Sequence, residues 1–353
     1  MSRVEREIAK QRKRLMAIEA NGMSEVARAY QVVLKDLNRE LAAVTERIEV
    51  ARRAHRKIGT SWLSAQERYQ ALVAQHEENT LDYLRSCIRT VTKAKKAAGE
   101  LAQSDAPALT QAVLGDLPSG VDNALLRRAE SYVANTFSKL PAEQMARLVR
   151  NAADGRPLGN PLAEIAPKAT QGVKDAMLSG VARGAPVRTI ADDVRRASGI
   201  AQNRAMLISR TETIRVYRET CHEQYRRSPV VTGWIWIAEV NACPVCSCEH
   251  GSRHSLDESL ASHPGCRCVE MPETLSWSEL GFPNIPDTRP QITPGPERFA
   301  ALPEADKLAI LGRARLEAYN AGEITLADMV KETHSARWGD GKRTATLVEL
   351  GVG

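Results

Sequence analysis

Sulfur and imidazole side chains cluster in one short stretch of the sequence, between residues 243 and 268. Thiolate and imidazole groups at such spacing are the ligands that proteins use to hold zinc. The segment Cys243-Pro-Val-Cys246 fits a knuckle, a tight turn that directs two thiolates toward one ion, and 19 residues separate Cys246 from Cys266. That separation is typical of a zinc site built from two distant halves. The stretch contains Cys243, Cys246, Cys248, Cys266, Cys268, His250, His254 and His263.

The second half of the cluster has the sequence His263-Pro-Gly-Cys266-Arg-Cys268. Proline at the second position and glycine at the third predict a type II turn, in which His263 and Cys266 can face the same point. More donors are present than one tetrahedral ion can take. We predict a structural zinc site with four cysteine ligands and with His263 as the substitute ligand. The predicted quartet is Cys243, Cys246, Cys266 and Cys268.

Four soft ligands favour zinc over magnesium or calcium, and a closed set of four leaves no position for a reactive water. Two alternatives stay open: reduced thiols held together by strand pairing alone, and disulfide bonds. Cys248, His250 and His254 are predicted to be loop residues. The isolated Cys87 and Cys221 are predicted to be small core residues.

Strands are predicted directly before and after this cluster, and helices are predicted further toward the N-terminus. Residues 230–240, VVTGWIWIAEV, are β-branched and aromatic and predict a strand, and VEMPE after Cys268 predicts a returning strand. Before them, apolar residues at helical spacing predict a helix over 201–227, which carries Arg210-Thr-Glu212. A separate helix is predicted from Pro186 to a C-terminal cap at Gly199.

The first hundred residues predict long helices, because no proline precedes Pro107. An apolar heptad stripe marks the first helix, and Gly-Thr-Ser at 59–61 predicts a break before a second helical run. We predict a long antiparallel hairpin, with a parallel coiled coil to another chain as the alternative. Prolines from Pro107 onward predict shorter helices over 100–168. The stripe consists of Tyr30, Leu34, Leu37, Leu41, Val44 and Ile48.

Proline is concentrated late in the chain, since 8 of the 17 prolines fall between Pro264 and Pro303. Residues 281–297 therefore predict an extended linker or a tail wrapped over a surface. Beyond them, residues 308–319 predict one helix that ends at Gly322. Thr325, with Asp328 three positions later, predicts a capped second helix.

These segments together predict a mainly α protein. Its parts are a long N-terminal helical hairpin and a helical domain, then a small α+β zinc-knuckle module and a short helical C-terminal segment. The predicted boundaries are 1–106 for the basic hairpin, 107–229 for the helical domain, 230–275 for the zinc-knuckle module, 276–303 for the proline-rich linker and 304–353 for the last segment.

Charge is distributed unevenly along the chain. Lys and Arg number 49 against 43 Asp and Glu, a net charge of +6, and residues 1–60 alone hold 14 basic and 8 acidic residues. A basic helical end can contact nucleic acid or an acidic protein surface, or it can simply be solvated. The predicted contacts are Arg12, Lys13, Arg14, Arg52, Arg53, Arg56 and Lys57.

Composition argues against several protein classes. No run approaches the roughly 18 to 20 apolar residues of a membrane span, and the N-terminus lacks the apolar core and cleavage site of a signal peptide. Seven cysteines are too few for a disulfide scaffold. The glycine-rich motifs that bind dinucleotides or nucleoside triphosphates are absent from the sequence.

Four features of the sequence together resemble the phage head-morphogenesis family, which is typified by the F protein of phage Mu. They are an Arg-Thr-Glu on a helix, a strand with tryptophan, a CxxC knuckle with a following glycine, and an HPxCRC segment. The resemblance covers residues 170–272, and Cys248 departs from the family pattern, which bears on the ligand set. The matching residues are Arg210, Thr211, Glu212, Trp236, Cys243, Cys246, Gly251, His263, Pro264, Cys266, Arg267 and Cys268.

The resemblance implies a minor head protein with an assembly role and no catalytic activity. Such proteins are found in the virion head, are assembled in the host cytoplasm and associate with the portal vertex. The implied partners are the portal protein and other head proteins, in several copies per virion. Double-stranded DNA is a further implied partner, during packaging or ejection.

Arg210 and Glu212 have three interpretations. They can form part of a structural network, with Trp236, that fixes the helix against the zinc module, they can be the relic of an active site, or they can be solvated charges. Because residues two apart on a helix do not face each other, the two are not partners of one another.

Two other functions compete with the assembly role. A zinc-supported nuclease needs a general-base histidine beside a divalent metal, and His250 and His254 lack the Asp-His and Asn context of such enzymes. A free DNA-binding module would show an affinity that falls steeply with salt.

Overall fold

The computed structural model describes residues 2–53, 58–115, 122–183 and 187–352. The described chain is mainly helical and adds one three-stranded and one two-stranded sheet, which confirms the predicted class. The helices are α1 (Arg3–Arg53), α2 (Ile58–Val113), α3 (Asn123–Asn135), α4 (Ala142–Arg150), α5 (Gly159–Ala163), α6 (Ile165–Ala182), α7 (Val187–Arg227), α8 (Pro244–Glu249), α9 (Gly295–Ala300), α10 (Glu304–Leu311) and α11 (Arg313–Asn320). The strands are β1 (Val231–Ile237), β2 (Arg253–His254), β3 (Val269–Thr274), β4 (Val330–Ser335) and β5 (Gly339–Thr344).

The chain divides into two compact units. Unit 1 comprises Met1–Ile18, Lys95–Val149 and Thr213–Gly353, and unit 2 comprises Glu19–Ala94 and Arg150–Glu212. The domain boundaries drawn from composition stay predictions. None of the described helices contains a stretch long and apolar enough to cross a membrane.

The helices α1 and α2 run antiparallel. In unit 1, Val4 near the start of α1 packs with Val113 at the end of α2. In unit 2, Leu41 late in α1 packs with Leu72 early in α2. Early residues of one helix thus meet late residues of the other, so the predicted hairpin is confirmed and forms within one chain.

The buried stripe of α1 departs from the predicted heptad. Val33 is buried, whereas Leu34 is only half-buried, so the pattern of buried residues repeats every 11 positions. A repeat of 11 corresponds to about 3.67 residues per turn, close to that of a straight α-helix. The side chains of Val44 and Ile48 lie outside the described set. The buried stripe consists of Val4, Ile8, Gln11, Leu15, Glu19, Gly22, Val26, Tyr30, Val33, Leu37 and Leu41.

Two breaks predicted from the sequence, at residues 59–61 and at Pro107, are wrong. Residues 59–61 lie inside α2, which begins at Ile58. The helix also continues through Pro107, which cannot donate to the oxygen of Gln103 four residues earlier. The side chain of Gln224 donates to that oxygen instead, at 3.4 Å, so the hydrogen bond lost to proline is replaced from another helix.

The helix α7 is continuous, so the predicted cap at Gly199 is also wrong. A glycine within a helix costs about 1 kcal/mol. Val194, Ser198 and Ala201 remain buried on either side of it, and the hydroxyl of Tyr30 bonds to Ser198. Packing along this face therefore outweighs the local preference of glycine to end a helix.

The three-stranded sheet has the order β2-β1-β3, and both pairings are antiparallel. Side chains alternate between its faces. Ile235 and Met271 belong to the core that α1 and α2 build on one face. Trp234 and Trp236 belong to the core that contains Cys246 on the other face. Both predicted strands are confirmed, and β1 directs its two tryptophans toward the cysteines.

The proline-rich stretch packs within unit 1. Phe282 and Ile285 are buried beside Leu114 and Val133. At its far end the amide of Gly295 donates to the oxygen of His250 at 2.6 Å. The stretch therefore follows the second predicted alternative, a segment wrapped over a surface.

The helix predicted over residues 308–319 is divided into α10 and α11. Gly312 separates them with a φ of 72°, in the left-handed region that glycine adopts without strain. Gly322 follows the end of α11, as predicted.

The helix predicted to begin at Thr325 does not form. The hydroxyl of Thr325 donates to the carboxylate of Asp328 at 2.6 Å, so the predicted hydrogen-bonded box is present. The chain then enters β4, which pairs with β5 along six residue pairs. Such side-chain boxes close simple turns as well as helix starts, and strand pairing decides the outcome here.

Candidate metal centre

The CxxC knuckle is formed by the start of α8. Pro244 occupies the first helical position, where its missing N–H leaves no hydrogen bond unmade. The amide of Ser247 donates to the oxygen of Cys243 at 2.9 Å, which closes the turn. Both thiols then approach one imidazole: Nε2 of His263 lies 3.2 Å from Sγ of Cys243 and 3.4 Å from Sγ of Cys246.

The HPGC segment forms the predicted type II turn. The amide of Cys266 donates to the oxygen of His263 at 3.2 Å, and Gly265 has a φ of 77°, as the third position of this turn requires. The turn brings Sγ of Cys266 to 3.7 Å from Sγ of Cys246. The two halves of the cluster therefore meet at Cys246.

The five donor atoms form two overlapping groups of three, which share Cys246. One group adds Cys243 and His263 and the other adds Cys266 and Cys268, and within each group all ligand atoms lie within 4.8 Å of one another. Zinc binds sulfur at about 2.3 Å and nitrogen at about 2.1 Å, so tetrahedral neighbours lie about 3.8 Å apart for two sulfurs and about 3.6 Å for sulfur and nitrogen. The contacts of 3.7, 3.2 and 3.4 Å are close to these values, so the residues could hold a tetrahedral metal ion.

His263 has the orientation of a metal ligand. Its Nδ1 lies 3.0 Å from the oxygen of Pro264. A carbonyl oxygen only accepts, so Nδ1 donates to it, and Nε2 is the nitrogen that faces the thiols and could bind a metal. Metal-bound histidines are typically held in this way. The geometry thus supports His263 more strongly than its predicted role as a substitute.

Two of the four thiols of the cluster, those of Cys243 and Cys266, are poised to lose protons. Hydrogen bonds from Cys246 and His263 lower the pKa of Cys243 to about 5. Hydrogen bonds from neighbouring thiols, Cys246 first, and the charge of Arg218 hold the pKa of Cys266 well below its usual value. The same contacts raise the pKa of Cys246, which shares its proton with both neighbours. Metals bind the thiolate form, so Cys243 and Cys266 favour the state that binds a cation, whereas Cys246 and Cys268, whose pKa values are raised, would release their protons when a metal binds.

All seven cysteines lie in the described residues, and none forms a disulfide bond. Cys87 and Cys221 are buried in helices, as predicted for core residues. Burial raises the pKa of the Cys221 thiol well above its usual value. These two thiols are therefore protonated and unreactive at neutral pH.

Arg218 of α7 contacts the cluster and was not predicted from the sequence. Its Nε donates to the oxygen of Cys268 at 2.9 Å, and its Nη2 donates to the oxygen and Sγ of Cys266 at 2.8 and 3.3 Å. Its Nη1 donates to the hydroxyl of Ser262 at 3.1 Å. Burial alone would lower the pKa of Arg218, but the thiolates of Cys266 and Cys268 outweigh burial and raise it. The one signal in the sequence is weak: Arg218 follows Tyr217, a member of the apolar stripe.

His222, one turn after Arg218, makes a second polar contact between α7 and the module. Its Nδ1 lies 2.9 Å from Oε2 of Glu270, and its Nε2 lies 3.0 Å from the oxygen of Leu256. Both partners accept hydrogen bonds, so both nitrogens must donate and the imidazole is a cation. Burial alone would lower the pKa of His222, but the hydrogen bond to Glu270 outweighs burial and raises it.

Two tryptophans close one side of the thiol cluster. Trp234 and Trp236 pack in one apolar core with Cys246, Cys266 and Cys268. The indole nitrogen of Trp234 donates to two backbone oxygens, whereas that of Trp236 is buried without a partner among the described residues. The rings exclude water from the cluster, which suits a closed structural site better than an open catalytic one.

Cys248, His250 and His254 lie outside both donor groups. Cys248 lies in α8 and His254 in β2 rather than in the predicted loop, and Cys248 packs against the core of the C-terminal segment. Nδ1 of His250 accepts from the amide of Ala238 at 3.0 Å, and burial lowers the pKa of His250 to about 4. Nδ1 of His254 lies 2.9 Å from Oε2 of Glu258. These side chains have structural contacts of their own.

Arg210 and Glu212 have partners within unit 2. Nε of Arg210 donates to Oε1 of Glu19 at 2.5 Å, and Nη2 lies 3.4 Å from Sδ of Met23. Oε1 of Glu212 accepts from the amide of Ala153 at 2.9 Å. The wider network predicted to include Trp236 stays a prediction. Within unit 1, Arg218 fixes the helix to the module.

The basic residues predicted as contacts are differently placed. The Nη2 of Arg12 donates to two backbone oxygens at the end of β1, and its Nε lies 3.4 Å from Glu239. Arg14 pairs with the buried Asp105. Both guanidinium groups are thus engaged inside unit 1, whereas Lys13 is exposed. The side chains of Arg52 and Arg53, and residues Arg56 and Lys57, lie outside the described residues.

Residues 171–271 match the family described as Phage Mu protein F like protein. This segment runs from α6 to β3 and contains all five donors, so the resemblance is confirmed over the part of the chain that builds the cluster. No curated protein and no solved structure matches the chain.

Proposed function

We propose that the protein is a minor component of a phage head that acts in head assembly at the portal vertex. The match of residues 171–271 to the Mu F-like family carries this proposal, because the same residues build the thiol cluster. The proposed partners are the portal protein and other head proteins. We propose that several copies of the protein are present in each virion head and that the head is assembled in the host cytoplasm.

The proposed role is structural rather than catalytic. The donors of the cluster face one another and are covered by two tryptophans, an arrangement that suits a closed site without a position for a reactive water. Zinc in such a site would hold α8 and the HPGC turn together. Because binding a structural zinc contributes directly to folding, a small module can keep its shape without a large core.

The proposed zinc ligands are Cys243, Cys246 and Cys266, with a fourth from His263 or Cys268. The hydrogen bond from His263 to the oxygen of Pro264 favours His263. Elemental analysis of protein never exposed to a chelator should give one zinc per chain. Comparing His263→Asn with Cys268→Ser identifies the fourth ligand, because only the variant that loses it should lose the metal. A zinc content near zero in the wild type would contradict the zinc proposal and leave the assembly role in place.

Double-stranded DNA is proposed as a further partner of the basic N-terminal end. The exposed Lys13 is a candidate contact, whereas Arg12 and Arg14 already have partners in unit 1. Binding through phosphate contacts should weaken steeply as salt rises. Affinity that does not change with salt would contradict direct contact with DNA.

Head particles provide the test of the assembly role. The protein should co-purify with immature and mature heads and should be crosslinked to the portal in both. The variant Cys266→Ser should be depleted from particles, whereas Cys248→Ser, whose thiol lies outside both donor groups, should be retained. Absence of the wild-type protein from both kinds of particle would refute the proposal.

A further inference from the structure

We propose that Arg218 is the positioning residue of the metal centre: it holds the Cys266-Arg-Cys268 backbone in place and balances the charge of the Cys266 thiolate. This inference rests on the metal site proposed above. It assigns a role to a residue outside the donor set and on a different element, the helix α7.

The contacts of Arg218 converge on one short segment. Its guanidinium donates to the backbone oxygens of Cys266 and Cys268, at 2.8 and 2.9 Å, and to the hydroxyl of Ser262 at 3.1 Å. The two oxygens lie on either side of Arg267, so the planar fork fixes the backbone that carries both thiols. Rigid positioning matters here because the two cysteines are only two residues apart, and their sulfur atoms lie within 4.8 Å of each other and of Sγ of Cys246.

The same guanidinium reaches a sulfur atom directly. Its Nη2 lies 3.3 Å from Sγ of Cys266, within the distance expected for an N–H···S hydrogen bond. Hydrogen bonds in which the donor or the acceptor is charged are about twice as strong as neutral ones. Arg218 therefore stabilises the thiolate of Cys266 specifically.

The charge of the site requires such a partner. A divalent ion with three thiolates and a neutral imidazole has one net negative charge, and with four thiolates it has two. Cys266 and Cys268 are 5% and 1% exposed, so this charge is removed from water. A buried charge is costly unless it is paired and hydrogen-bonded, and Arg218 provides both the opposite charge and the hydrogen bond.

Arginine and lysine should differ at this position. Arginine has five N–H donors in a rigid fork, whereas lysine carries the same charge at a single flexible point. Lysine can preserve part of the charge balance, but it cannot hold both backbone oxygens and the sulfur at once. Comparing Arg218→Lys with Arg218→Gln thus separates charge from geometry.

The first measurement is the zinc affinity of the full-length chain, by competition with a chelator. Losing a group that orients a ligand typically weakens metal binding about 10- to 100-fold, and we expect such a loss for Arg218→Gln and a smaller one for Arg218→Lys. Arg226→Gln is the matched control, because Arg226 lies on the same helix, is 50% exposed and is 3.6 Å from Glu223. That control should bind zinc as the wild type does.

The second measurement is the absorption of the cobalt-substituted proteins at saturation. A hydrogen bond stabilises the sulfur lone pair, so removing it should shift the thiolate-to-cobalt charge-transfer band to lower energy. A residue that only supported the fold would weaken binding without shifting this band. If Arg218→Gln fails to fold, the band of Arg218→Lys decides the question.

The outcomes separate the two proposals. Failure of the wild type to bind zinc or cobalt would overturn the metal site itself. Wild-type binding together with unchanged affinity and an unshifted band in the Arg218 variants would overturn the role of Arg218 alone. Weaker binding with a shifted band supports it.

Discussion

Replacing Arg210 by leucine should destabilise unit 2 by about 3 kcal/mol. The carboxylate of Glu19 is 3% exposed, and Nε of Arg210 lies 2.5 Å from its Oε1. Removing one partner of a buried ion pair costs about 3–5 kcal/mol, because a charge is left behind without compensation. The lower end of that range applies, because Arg210 is 29% exposed and Glu19 has a further interaction.

The assay is urea unfolding of four proteins: the wild type, Arg210→Leu, Glu19→Gln and the double variant. Glu19→Gln removes the buried charge and should cost less than Arg210→Leu. The two changes should not add, because groups in direct contact show coupling energies of about 0.5–3 kcal/mol. Arg196→Leu is the control. Arg196 is on the same helix, pairs with Asp193 and is 77% exposed, and such surface pairs contribute about 0–1 kcal/mol.

A small effect would refute the reasoning. If Arg210→Leu costs less than about 1 kcal/mol, as a surface pair would, and the coupling to Glu19 is near zero, then Arg210 is a solvated charge. The arginine of the Arg-Thr-Glu segment would then contribute nothing to the fold. A large coupling instead shows that this arginine serves to neutralise a buried carboxylate of α1.

Three further outcomes are expected. Cys266→Ser should lose zinc and expose the module to proteolysis, whereas Cys248→Ser should keep both zinc and resistance, and equal zinc contents would contradict the ligand assignment. Replacing His222 by glutamine removes a cation whose pKa is raised in the folded state by its hydrogen bond to a carboxylate, despite burial. The wild type should therefore have a larger unfolding free energy than His222→Gln. This difference should be fully present below the pKa of about 6.5 that His222 has in the unfolded chain, and it should disappear as pH rises through the pKa of His222 in the folded protein. An advantage that grows with pH in urea titrations would contradict this sign. Gly295→Ala places a Cβ 2.1 Å from a backbone oxygen of α8 and should cost about 1–3 kcal/mol. Gly199→Ala meets no atom within 4 Å and should stabilise by about 0.5–1 kcal/mol, so the opposite order of melting temperatures would refute the packing argument.

Features set by nearby residues could be predicted from the sequence. The turn from His263 to Cys266 follows from the φ of proline and the freedom of glycine, and its hydrogen bond is present. The knuckle follows from Cys243-Pro-Val-Cys246, because proline begins a helix whose first turn brings both thiols to one side. Each of these depends on only four residues.

Features set by distant residues could not be predicted. Pro107 is accepted in a helix because the side chain of Gln224 replaces the missing donor. Arg218 reaches the cluster because α7 packs beside a turn that begins 45 positions later, at His263. The Thr325 box closes as predicted, yet pairing with β5 selects a strand after it. In each case a contact remote in sequence overrides a correct local preference.

The 11-residue repeat of α1 constrains how the length of the hairpin can change. Inserting or deleting one residue in a helix rotates every later side chain by about 100°, which would expose the stripe beyond that point. A change of 11 residues is three full turns of this repeat, about 16 Å of helix, and it restores the buried face. Because the partner helix must remain in register, matched changes in both arms are needed. Arms of related proteins should therefore differ in length by discrete steps of three turns, and intermediate lengths should be selected against.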